Sequence, residues 1–166
     1  MRAGLPRLRV RGQLLGNRLV AIAVVAAALV RAGFSHLNVL ASQRTPDGDF
    51  PTVPGHVANP EIPATLELAI AEAKATGADL VLASDPDADR IGVAVPTTGD
   101  PAGAWTTLDG NQIGVLLAAF VMKQMADLGR LRNDHYLVTT LVTSQMARAL
   151  AAREGVRVED DLLVGF

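Results

Sequence analysis

The sequence predicts an α/β fold made of three-layer α/β/α units with a mixed, mainly parallel sheet, and three observations carry that prediction. The runs "HLNVLAS" and "ADLVLAS" are short, continuously apolar and of strand length, as strands covered on both faces are. Between them, "NPEIPATLELAIAEAKATG" reads as an amphipathic helix with a signal at each end. Strand, helix and strand in that order make a βαβ crossover, which is right-handed by default.

Taken in order, the chain opens on several arginines and runs into the apolar segment 19–30. This superficially resembles a secretory signal. The segment is too short to span a membrane, and Gly33 reads as a helix C-cap, so an almost fully buried helix is expected. A strand over 37–41 and a Pro/Gly/Asp-rich loop, "TPDGDFPTVPGHV", follow. In the next helix Asn59 is expected as N-cap and Pro60 as the first helical residue. Leu66, Ala69, Ile70 and Ala73 share its apolar face, and Gly77 stops it. Residues 37–41 and 79–84 are expected as neighbouring or near-neighbouring parallel strands, with 64–76 helical and packed across them. "PTTGDPAGAW", residues 96–105, reads as an exposed hairpin or loop. Asp109, Gly110 and Asn111 open a long helix, and Thr143 and Ser144 cap a later one.

Composition narrows the function classes. Across 166 residues, 49% hydrophobic content is ample for a core, and 15 basic against 17 acidic residues leave a net charge of −2. That balance gives no electrostatic reason to expect nucleic acid or an acidic membrane as partner. Cysteine is absent, which removes disulfides, thiolate metal sites and cysteine nucleophiles and fits a reducing cytoplasm. His36, His56 and His135 have no ligand-like spacing and read as surface residues.

The chemistry concentrates in "VLASDPDADRIGV", where Asp85, Asp87 and Asp89 alternate and Arg90 follows. The aspartates begin at the carboxyl end of a parallel strand, where open α/β sheets place ligands. Pro86 has no amide hydrogen and keeps Asp85 out of helical geometry. In an extended segment, side chains two apart point the same way, so the three carboxylates are expected to converge. Hard oxygen donors of this kind suit magnesium or a similar divalent ion. An EF-hand loop starting at Asp85 would need glycine and glutamate where Arg90 and Pro96 stand, so that reading fails. A phosphatase with a D-x-D strand end and a solvated acidic turn both stay open on these residues alone.

"ASDPDADRIGVAV" resembles the metal-binding loop of the α-D-phosphohexomutases, the phosphoglucomutases and phosphomannomutases, which share a D-x-D-x-D-R signature. "PDGDFPTV", "NPEIPATLELAIAEAKATGADLVLA", "LDGNQIGVLLAAFVM" and "YLVTTLVTSQMARALAAREGVRVEDDLLVGF" resemble successive family segments in the family's order. The resemblance covers residues 28 to 166. It implies truncated phosphohexomutase domains, with 1–108 as the second of four domains and 109–166 as the beginning of the third. Residues 1–18 are atypical of that pattern, and no function is assigned before Leu19.

The resemblance further implies a Mg2+-dependent interconversion of hexose 1-phosphate and hexose 6-phosphate, through a phosphoserine enzyme and a bisphosphate intermediate. Asp85, Asp87 and Asp89 would be the metal ligands, and Arg90 the catalytic guanidinium beside the transferring phosphate. The expected partners are a hexose phosphate, in the full-length enzyme, and the missing family domains. The family's nucleophilic serine lies in a Thr-x-Ser-His-Asn-Pro-like context. Ser35, Ser42, Ser84 and Ser144 all lack it, so this chain alone is expected to be inactive. The alternatives are an α/β sugar-phosphate phosphatase and a non-catalytic divalent-ion-binding domain.

Overall fold

The computed structural model of the chain describes residues 10–12, 19–34, 36–45 and 47–163. Of the atypical segment 1–18, only 10–12 is among them, and Gly165 and Phe166 lie outside as well. The described residues fall into two compact units, divided along the chain between Asp109 and Gly110.

The first unit is built on a five-stranded sheet of order β2-β1-β3-β4-β5. Its strands are β1 (Val10–Gly12), β2 (Asn38–Val39), β3 (Leu80–Ser84), β4 (Ile91–Pro96) and β5 (Trp105–Leu108). β1 pairs in parallel with both β2 and β3, whereas β3–β4 and β4–β5 are antiparallel. The two apolar runs are therefore near-neighbouring parallel strands of one sheet, as expected, with β1 between them. A strand from the atypical amino end thus completes the parallel part of the sheet. The predicted hairpin loop joins β4 to β5, closed by the Thr97 N–H donating to the Ala104 carbonyl at 2.9 Å.

The first helix, α1 (Leu19–Arg31), ends as expected: Gly33 has φ 97°, and the Phe34 N–H reaches back to the Leu29 carbonyl at 3.1 Å. It is not almost fully buried, since Val24 and Val30 are 61% and 59% exposed. A helix on the outside of a small unit has an outer side, and an all-apolar sequence places apolar residues there too.

The second helix differs from expectation at its start. α2 is Glu67–Thr76, preceded by a 3-10 turn over Pro63–Leu66. Asn59 caps a separate turn instead, its Oδ1 accepting the Glu61 N–H at 3.0 Å. Pro60 and Pro63 each lack an amide hydrogen, so no regular helical ladder can run from Asn59, and tight local turns take its place. Further along, the pattern holds. Leu66, Ala69 and Ala73 are buried, Ile70 packs against them, and Gly77 closes the helix at φ 65°. This face forms one core with Val53, Ala78, Val81, Ala83 and Ala94.

One close approach ties the α2 lead-in to the sheet. Gly92 on β4 lies opposite Ala83, and a Cβ there would sit 2.5 Å from the Pro60 carbonyl oxygen and 2.8 Å from its Cβ. Gly92→Ala must therefore displace the backbone of the turn. The expected loss is about 1–3 kcal/mol, read as a lower urea midpoint; a midpoint equal to wild type would show that the turn yields freely.

The second unit contains α3 (Gly110–Asp127), β6 (Tyr136–Thr140), α4 (Met146–Arg153) and β7 (Arg157–Leu162). β6 and β7 pair in parallel, and Met122, Ala151 and Val156 form its small core. The Arg148–Asp160 ion pair joins α4 to β7. The long helix opens at Gly110, as expected. Ser144 serves the start of α4 from one position outside the N-cap: its Oγ accepts the Met146 N–H at 3.2 Å, while Gln145 is the N-cap residue. The Asn111 side chain in turn accepts the Ser144 N–H at 2.7 Å. Leu116, Leu117, Phe120 and Val121 leave an exposed apolar face on α3. No helix among the described residues is long and apolar enough to cross a membrane.

Candidate metal centre

The β3–β4 connection places the acidic residues. The Ser84–Ile91 pair closes the ladder, and residues 85–90 form the loop beyond it. β3 is covered by the α2 core on one side and continued by the hairpin on the other, so Asp85 enters the loop from a buried strand end and is itself 0% exposed. Asp87 and Asp89 are exposed.

The three carboxylates do converge, but not by extended-strand alternation. The Asp85 carbonyl accepts the Ala88 N–H at 3.1 Å, and Ala88 adopts φ 61°. A tight turn with one left-handed residue therefore folds Asp87 and Asp89 back towards Asp85. Pro86 favours such a turn, because its fixed φ suits an early turn position. One oxygen from each of Asp85, Asp87 and Asp89 lies within 4.8 Å of the others, the one cluster of this kind among the described residues.

Arg90 belongs to this cluster in a specific way. Its backbone N–H donates to Asp85 Oδ1 at 3.0 Å, and its Nε–H donates to Asp85 Oδ2 at 2.7 Å. The same Nε stands 3.6 Å from Asp89 Oδ1. A buried ionised carboxylate needs such partners, since desolvation without pairing is costly. Burial pushes the Asp85 carboxyl up, but the Arg90 backbone N–H, together with side-chain hydrogen bonds from Asp89, Arg90 and Asp87, outweighs it and brings it down to about 2. Asp89 moves the other way: its hydrogen bond with Asp85 raises it, as do desolvation and the charges of Asp85 and Asp87. One deeply ionised carboxylate beside one that resists ionisation is what crowded negative charge produces, and a cation among them relieves both.

The donor set fits a hard divalent ion. All three groups are carboxylates, two of them are open to solvent for water ligands, and the third is anchored by the backbone. Next to them, Ser84 Oγ is buried without a hydrogen-bond partner. The strand-end position buries the hydroxyl, and no acceptor or donor comes within reach. No histidine belongs to this cluster among the described residues. His36 and His56 are exposed, whereas His135 is half-buried, its Nδ1 accepting the Arg132 N–H at 3.3 Å.

Comparison with known proteins adds an independent line. The family model described as "Phosphoglucomutase/phosphomannomutase, alpha/beta/alpha domain II" matches residues 19–99. A probable phosphomannomutase of Haemophilus influenzae is 38% identical over 143 residues, covering 86% of this chain and 27% of that protein. A probable phosphoribomutase of Schizosaccharomyces pombe is 38% identical over 124 residues, covering 75% of this chain and 20% of its own length. Among solved structures, a phosphoglucomutase/phosphomannomutase family protein of Burkholderia thailandensis superposes with a TM-score of 0.63 at 22% identity, covering 91% of this chain and 29% of that one. The chain thus spans about a quarter of the length of the curated relatives it matches.

Proposed function

The chain belongs to the phosphoglucomutase/phosphomannomutase family, and from that premise we propose that it supplies the Mg2+-binding loop of a phosphohexomutase. The observation that carries the reading is the convergence of Asp85, Asp87 and Asp89 at the carboxyl end of β3. In this reading the first unit is the family's second domain and the unit from Gly110 is the start of its third. The parent enzyme interconverts sugar 1- and 6-phosphates in the cytoplasm through a phosphoserine and a bisphosphate.

Each residue has a definite task in this scheme. Asp85, held at Oδ1 by the Arg90 backbone, is the rigid ligand, because a buried carboxylate with a fixed partner loses little freedom on coordination. Asp87 and Asp89, on the exposed side of the turn, would supply the other two carboxylate ligands. Mg2+ bound there supplies charge stabilisation during phosphoryl transfer. Arg90 presents its guanidinium to the phosphate oxygens, a geometry in which a planar fork outperforms a point charge. The names of the relatives and of the family cover mannose, glucose and ribose; ribose has no 6-hydroxyl, so the 1- and 6-phosphate reading applies to the hexoses and names no particular one.

The test is a Mn2+ titration by water-proton relaxation, with Mg2+ as competitor. Wild type should bind weakly, since no serine of this chain has the context of the family's phosphoserine ligand. Asp87→Asn should bind less, by roughly tenfold for one charged ligand lost. Equal binding by wild type and by the triple Asp→Asn variant at 85, 87 and 89 would remove the site.

A further inference from the structure

We infer that Arg90 is the metal's built-in competitor: its guanidinium holds one Asp85 oxygen and lies beside an Asp89 oxygen within the carboxylate cluster, so it must swing away for the ion to bind. This rests on the metal reading above and adds a positioning role for a side chain that the reading used only at the phosphate.

The geometry divides Asp85 into two halves. Oδ1 is held by a backbone N–H, which no substitution at position 90 other than proline removes. Oδ2 is held by the Arg90 Nε–H at 2.7 Å, and that same nitrogen lies 3.6 Å from Asp89 Oδ1. The guanidinium thus spans two of the three carboxylates that come within 4.8 Å of one another. A divalent ion takes carboxylate oxygens at about 2.0–2.6 Å. An ion drawing on Asp85 Oδ2 would therefore meet a hydrogen-bonded guanidinium N–H on that oxygen, with the same positive group only 3.6 Å from Asp89 Oδ1. Two cations cannot share that space without strong repulsion.

The exit is already open. The Arg90 side chain is 45% exposed while Asp85 is sealed, so the guanidinium can rotate into solvent without disturbing the buried partner. The backbone bond to Oδ1 keeps Asp85 aimed as it leaves. Without the ion, Arg90 neutralises a buried carboxylate and holds the crowded loop together. With the ion, the same residue is released beside the site, free to meet a phosphate.

The experiment uses the 166-residue chain as wild type, Arg90→Met and Arg90→Lys, each titrated with Mn2+ and competed with Mg2+. Arg90→Met keeps the apolar stem without the charge and should bind about five- to tenfold more tightly, the range expected when a partly exposed, charge-assisted contact no longer competes. Arg90→Lys should fall between the two, because an ammonium still competes but without the fork. A merely structural role predicts the opposite sign, since a loosened loop binds more weakly. Arg90→Met binding equal to or weaker than wild type, with wild type binding normally, overturns the inference and leaves the metal reading intact. Absence of binding in wild type and all variants overturns both. If Arg90→Met does not fold, wild type decides: the Arg90 Nε–H resonance, assigned by its loss in Arg90→Lys, should shift on Mg2+ addition, and a resonance unmoved at saturation overturns the competition.

Discussion

Leu66→Ala should cost the first unit about 3 kcal/mol, the largest stability loss expected from a single apolar truncation among the described residues. Leu66 is 1% exposed, at the point where the 3-10 turn becomes α2. Five of the eight residues of its core cluster are alanines: Ala69, Ala73, Ala78, Ala83 and Ala94. Such neighbours have no side-chain length with which to fill a void, so the cavity persists and its walls lose their contacts. The readout is favourable, because Trp105 is the single tryptophan and packs against this core, its Nε1–H donating to the Pro101 carbonyl at 2.8 Å. Its fluorescence in a urea titration therefore follows the first unit. Leu66→Met, which conserves volume, should lose less than about 1.5 kcal/mol. A loss below about 1 kcal/mol for Leu66→Ala would mean that the cluster collapses around the gap.

The second large effect concerns activity. The 166-residue chain should show no conversion of glucose 1-phosphate to glucose 6-phosphate, even with Mg2+ and a bisphosphate activator, in a coupled assay where a full-length family member turns over. The proposed reaction needs a phosphoryl donor and a second wall to grip the far phosphate. Asp85, Asp87, Asp89 and Arg90 supply neither. Positioning accounts for effective molarities of about 10⁵–10⁸ M in well-oriented reactions, so an unpositioned sugar phosphate meeting this loop should react at least about four orders of magnitude more slowly. Turnover by the chain alone, lost in Asp87→Asn so that contamination is excluded, would show that the nucleophile lies within these residues.

Much of this architecture was legible in the sequence because its signals are local. A glycine after an apolar helical period, as at Gly33 and Gly77, marks a helix end through the conformation of that single residue. Leu66, Ala69, Ile70 and Ala73 declare a face through their spacing, and the apolar run at 79–84 declares a buried strand. D-x-D-x-D-R announced its cluster because three carboxylates within five residues must sit close together in almost any conformation. The local rule failed where two signals conflicted: Asn59 and Pro60 look like a helix start, but a second proline three residues later withholds another donor and gives the segment to tight turns.

Only the tertiary structure decided the rest. β1 takes its place between β2 and β3 through pairing with strands far along the chain, which no window of neighbouring residues encodes. The contact of Gly92 with Pro60 is invisible for the same reason. Within the site, the sequence spaced the aspartates evenly, yet the fold made them unequal: Asp85 is sealed at a strand end and the other two face water. That inequality comes from burial, and burial is a property of what packs around a residue. It also fixes the place of Arg90, since an ionised carboxylate withdrawn from water takes the nearest guanidinium as its partner.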